Sequence, residues 1–79
     1  MTVAAIIKND DGTVNTTICH FNLYTDNEQI AHIQGILNND VWEFYIPKEV
    51  TENLRGRYWY SICDEKHTRL NFKQPIYLG

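Results

Sequence analysis

Apolar residues return at every second position in several runs of this sequence, and that period restricts the fold more than any other feature. Cys19, Phe21 and Leu23 alternate with the more polar His20, Asn22 and Tyr24. In "VWEFYI", Trp42, Phe44 and Ile46 fall on one side, with Glu43 and Tyr45 on the other. Tyr58, Tyr60 and Ile62 share a third face, Leu70 and Phe72 a fourth, which the final Ile76 and Leu78 continue beyond Pro75. A side chain every second residue on one side is the geometry of a half-buried strand.

The runs are separated by turn chemistry: "NDDG" at 9–12, "TDNE" at 25–28, "NND" at 38–40 and "DEKH" at 64–67. This spacing predicts strands near 2–8, 14–24, 29–36, 41–46, 57–63 and 69–78. "PKEVTENL" predicts a short helical turn at 48–53, since Pro47 suits a first helical position, acids follow early and Gly56 lies just beyond the end. The expected fold is therefore a single all-β domain over 1–79, an antiparallel sandwich of six or seven strands with one short helical turn.

At 79 residues folding buries only about 60% of the surface the unfolded chain would expose. Chains this short often need reinforcement from disulfides, metals or neighbours. The net charge of −3 opposes a phosphate-tracking role, because nucleic-acid affinity is drawn from clustered Lys and Arg. Arg55, Arg57, Lys66 and Arg69 read as solvated turn and strand faces. No apolar run reaches the roughly 20 residues of a bilayer span, and "MTVAAIIKND" has neither the basic start nor the apolar length of a signal peptide. The expectation is a chain that is cytosolic when made. Asn15-Thr16-Thr17 matches a glycosylation sequon, but it is read as β-formers within a strand.

Cys19, Trp42 and Cys63 occur in the order of the antibody-type disulfide and its packing tryptophan. Parity separates the two sulfurs: Cys19 runs with Phe21 and Leu23, whereas Cys63 runs with Trp59 and Ser61, opposite Tyr58, Tyr60 and Ile62. Two free thiols are expected, Cys19 in the core and Cys63 nearer the surface.

Catalytic chemistry is sparse. His20, His32, His67, the two cysteines and ten carboxylates form no C-x-x-C, H-x-x-x-H or H-E-x-x-H arrangement, although His20 and His32 can meet across paired strands. "NDDG" lacks the later ligands and closing Glu of a calcium loop. No Ser or Cys sits in a sharp glycine-flanked turn, and Asp64 and Glu65 fall in an exposed turn. Neither enzyme activity nor a cofactor is expected. The remaining candidate is the triplet Tyr58-Trp59-Tyr60. Both tyrosines point to the core with Ile62, leaving Trp59 on the opposite face, where it either covers an edge or marks a contact surface. Arg57, Tyr45 and Tyr77 join Trp59 as the candidate partner interface.

The run "EFYIPKEVTENLRGRYWYSICDEKHTRLNFKQPIYL" resembles the closing half of small immunoglobulin-like modules of tailed-bacteriophage virion proteins, such as the amino-terminal domain of baseplate upper proteins and related head and tail accessory proteins. The resemblance lies in Phe44, Ile46-Pro47, Thr51, Leu54, Gly56, the Tyr58-Trp59-Tyr60 triplet, Ile62, Asp64 and the closing strand from Leu70 to Leu78. Leu54, Gly56, Tyr58 and Tyr60 also resemble the tyrosine corner of fibronectin type III and other sandwich domains, in which a tyrosine hydroxyl ties the strand to the preceding loop. The resemblance implies an immunoglobulin-like sandwich without catalysis, made in the host bacterial cytoplasm and placed in the virion. Its implied role is capsid decoration or a neck, tail or baseplate accessory, with other virion proteins as partners, a possible homo-oligomer, and neither nucleic acid nor membrane.

Two other functions stay open on the residues alone. A small inhibitor or adaptor would bind a host protein through an acidic surface, although the ten acids are scattered through turns. A carbohydrate-binding sandwich would use Trp59 and Tyr45.

Overall fold

A computed structural model describes residues 1–66, 68–70 and 73–79. Its strands are β1 (Thr2–Ala5), β2 (Cys19–Tyr24), β3 (Gln29–Gln34), β4 (Ile36–Asn38), β5 (Val41–Tyr45), β6 (Gly56–Asp64) and β7 (Gln74–Leu78), with a single-turn helix α1 (Lys48–Thr51). They form two antiparallel sheets, ordered β1-β5-β4 and β3-β2-β6-β7. Lettered by position, the first is B-E-D and the second C′-C-F-G, the arrangement of an immunoglobulin-type sandwich. Strand A has no counterpart among the described residues.

The inward faces follow the sequence period. Cys19, Phe21, Leu23, Trp42, Phe44, Ile46 and Ile62 make one buried cluster, with Tyr58 and Tyr60 half-buried against it. The Phe21 ring lies 5.8 Å from that of Phe44 in the opposing sheet and 5.3 Å from that of Tyr60 on the neighbouring strand. Trp42 is 4% exposed and donates its indole N–H to the Asn15 carbonyl at 2.7 Å, so its one polar atom is satisfied inside the core.

Several expected boundaries move, each for a local reason. The strand expected from 14 starts at Cys19, because Asn15 bonds its own chain instead: its Oδ1 accepts from the Thr17 N–H at 3.0 Å and the Thr17 hydroxyl at 2.7 Å. Such a local turn competes with a ladder. The expected strand 29–36 breaks at Gly35, where the chain leaves one sheet for the other. A Cβ at Gly35 would sit 2.6 Å from Phe44 Cε1 and 2.9 Å from Trp42 Cε3. The crossing thus needs a residue with no side chain, pressed on two core rings. The expected strand 2–8 ends at Ala5, with Lys8 bridging Val14 across the "NDDG" turn. The expected strand 69–78 reduces to a bridge between Arg69 and Cys63 and then β7, and Leu70 is 37% exposed rather than core. Phe72 and His67 lie outside the described residues.

The turns hold as their residues suggest. Asn39 and Asp40 both have positive φ (50° and 67°), a two-residue hairpin loop suited to Asn and Asp. Asp11 Oδ1 accepts from the Thr13 hydroxyl at 2.6 Å and its N–H at 3.0 Å. These bonds hold the Asp11 carboxyl below its ordinary pKa.

Candidate docking surface

The outward face of the β3-β2-β6-β7 sheet is built by cross-strand register. Tyr24 stands opposite Trp59, Asn22 opposite Ser61 and His20 opposite Cys63, while Asn22 also faces His32 on β3. On the β7 side Arg57 faces Tyr77 and Trp59 faces Pro75. Three of the four expected interface residues, Arg57, Trp59 and Tyr77, therefore share this face. Tyr45 does not join them: it lies on the outward face of the other sheet, opposite Thr2 and 50% exposed. A hydrogen bond with Glu43, with lesser help from burial and the Glu43 charge, raises the Tyr45 pKa above its ordinary value.

The centre of this face is closed by polar groups. Asn22, Ser61 and Cys63 are 4%, 0% and 7% exposed. Asn22 Nδ2 donates to Cys63 Sγ at 3.3 Å, and Asn22 Oδ1 accepts from Gln29 Nε2 at 3.2 Å. His32 Nδ1 lies 2.6 Å from the same oxygen, which requires the proton on Nδ1. The Tyr24 and Ser61 hydroxyls are 2.9 Å apart, and the His20 and His32 rings stack at 4.6 Å. This corrects the expectation of a near-surface Cys63: parity does turn it away from Cys19, and both thiols are free, but both are buried. Asn22 bonds the Cys63 sulfur directly, and the returning chain pairs alongside β6: Arg69 bridges Cys63, the Thr68 carbonyl accepts from the Asp64 N–H at 3.0 Å and the Leu70 N–H donates to the Ile62 carbonyl at 2.7 Å. Cys19, fully enclosed, has its thiol pKa pushed up to about 11 by burial and, secondarily, by the Asp64 carboxylate.

The rim of the face is aromatic and cationic. Trp59 is half-buried and donates its indole N–H to Asp26 Oδ1 at 2.8 Å. The Arg57 guanidinium lies 5.1 Å from its ring, and the Lys73 ammonium 4.3 Å from the Tyr24 ring, both within cation–π range. Asp26, Trp59 and Lys73 line a shallow hollow, and Tyr77, opposite Arg57 on β7, is 75% exposed. Sequence reasoning missed Asp26, because its partner lies across the fold on β6.

The tyrosine-corner expectation is not met. Among the described residues neither Tyr58 nor Tyr60 hydrogen-bonds through its hydroxyl; Arg55 Nη1 instead donates to the carbonyls of Glu52 at 2.9 Å and Leu54 at 2.8 Å. Among the described residues no cluster of His, Cys, Asp and Glu is placed to hold a metal ion, and no helix is long and apolar enough to cross a membrane. Compared with known protein families, curated proteins and solved structures, the chain matches none.

Proposed function

We propose that this chain is a non-enzymatic structural protein of a bacteriophage virion, a sandwich module that docks on a repeating protein lattice as a capsid decoration or a neck, tail or baseplate accessory. The reading rests on the resemblance of the closing half to virion modules. The observation that carries the docking surface is the rim group Arg57, Trp59 and Tyr77, set on a sheet face whose centre is hydrogen-bonded shut. Large aromatics and arginine are what interface centres are enriched in. With Arg57 and Lys73 beside them, they suit a partner surface that offers apolar groups and carboxylates.

The experiment compares wild type with Trp59→Ala. The variant should stay folded, because Trp59 lies outside the inner core, yet fail to co-sediment with phage particles assembled in its presence. Unfolding of the variant would make Trp59 part of the fold's own support. Normal incorporation would move the docking face elsewhere, and absence of the wild-type chain from particles would remove the virion reading altogether.

A second reading is favoured by one observation. The hollow of Trp59, Asp26 and Lys73 joins an aromatic ring to polar groups, which suits a sugar ring stacked on Trp59. Glycan binding lost in Trp59→Ala, without any particle association, would support it over the first.

A further inference from the structure

β1 is an edge strand, and its pairing with β5 fixes which of its backbone groups are used. Met1 and Ile46 exchange both bonds: the Met1 amino group donates to the Ile46 carbonyl at 3.0 Å, and the Ile46 N–H donates to the Met1 carbonyl at 2.8 Å. In an antiparallel ladder bonded and non-bonded pairs alternate. With the register Thr2↔Tyr45, Val3↔Phe44, Ala4↔Glu43 and Ala5↔Trp42, Val3 and Ala5 bond to β5. Thr2 and Ala4 turn their N–H and C=O groups to the open side. This is the side on which strand A would lie in an immunoglobulin sandwich.

The four sheet edges are not alike. β7 carries Pro75 with Lys73 just before it, and β4 is three residues long and is followed by the positive-φ pair Asn39 and Asp40. The edge of β3 presents the exposed polar side chains Gln29, His32 and Gln34. β1, "TVAA", has neither charge nor proline, the devices that blunt an edge. Met1 and Ile6, 40% and 60% exposed, flank it.

We propose that a second copy of this chain pairs with β1, antiparallel to it, about a two-fold axis through Val3. In that register Thr2 of one copy faces Ala4 of the other, and both residues have their backbone groups free in the required direction. Each such couple exchanges a pair of N–H to C=O bonds, and the two-fold repeats it. The two Val3 residues meet at the non-bonded position between. The residue numbers of each facing pair add to an even sum, so inward faces stay on one side and the β4-β5-β1 sheet runs on into its copy. A strand without charge brings no like charges together when it meets itself. The contact is small, which places it among weak, concentration-dependent associations. It is separate from the Trp59 face, so the docking proposal and this one fail independently.

The test is sedimentation of the full chain over a wide range of concentration, with Ala4→Pro as the variant. Proline is tolerated at an edge where its N–H faced outward, and Ala4 gives β5 no bond. Ala4→Pro should therefore keep the monomer fold and weaken association by about tenfold or more, as both copies lose a donor. Ala4→Lys, at an exposed position, should weaken it too and serves if the proline variant misfolds. Amide exchange at Thr2 and Ala4 should slow as concentration rises while that at Val3 stays unchanged. A wild-type chain that remains monomeric throughout overturns the proposal, as does a dimer that neither substitution weakens.

Discussion

The two faces of the β2–β6 pair are both enclosed, and different physics encloses them. Inward, Phe21, Leu23 and Ile62 are closed by apolar packing against Trp42 and Phe44. Outward, Asn22, Ser61 and Cys63 are nearly as inaccessible but are closed by directed contacts with Gln29, His32 and Tyr24. The inner face is defined by volume and tolerates swaps that conserve it. The outer face is defined by partners, so losing one member removes bonds that the others make. That rigidity would serve the proposed docking, since it fixes Tyr24 and its register neighbour Trp59 at the rim.

The largest expected effect breaks the inner face. Trp42→Ala should cost about 3–5 kcal/mol in denaturant unfolding, and it also leaves the Asn15 carbonyl without its donor. A domain of this size has little margin to absorb that loss. Near-wild-type unfolding would show that Trp42 does not organise the core.

A paired substitution sharpens the contrast. Asn22→Ala removes a small side chain, yet should destabilise by about 1–3 kcal/mol because Cys63, Gln29 and His32 lose their common partner. Leu23→Met, next to it on the inward face, should cost less than about 1.5 kcal/mol. If chemical unfolding finds Asn22→Ala the milder of the two, the polar closure contributes little and the outer face is held by its neighbours alone.

The period-2 pattern made the faces legible: it placed Cys19, Phe21 and Leu23 inward, Trp42 with Phe44 and Ile46, and Trp59 away from Tyr58 and Tyr60. Alternation reports which side of its own strand a residue takes, and nothing about which sheet the strand joins. Tyr45 and Trp59 were grouped for that reason, although they lie on opposite sides of the sandwich. Polar closure was also hidden, since Asn22 and Ser61 read as polar-face residues whether or not anything covers them. Gly35 does carry a signal, since a glycine inside a strand pattern marks a bulge or a close approach. Asp26 had no local signal, as its role is set by an indole far away in sequence. Asn15 was legible in principle, because an Asn side chain readily hydrogen-bonds the backbone two residues on.

The smallest expected effect on stability concerns the two thiols, which report on the two closures directly. Both should be alkylated after unfolding and both should be slow in the native state, with Cys63 the faster. Cys19 is packed in the apolar cluster, its thiol donating to the Thr17 carbonyl at 3.4 Å and accepting from Asn15 Nδ2 at 3.5 Å, with its pKa raised to about 11 from the ordinary 9.0. Cys63 is bonded by the Asn22 amide and flanked by a single bridge to Arg69, an arrangement that opens locally at lower cost. The raised Cys19 value also fixes a pH effect. Its folded form holds the proton longer than the unfolded form, so its contribution to stability is whole below about pH 9 and is lost as pH rises towards about 11. Cys19→Ala should remove that part of the alkaline loss measured by urea unfolding across this window. Mass spectrometry of the native protein after partial alkylation separates the two sites. Faster labelling at Cys19 than at Cys63 would mean that the apolar side of the sheet opens before the polar side, reversing the order of strength assigned to the two faces.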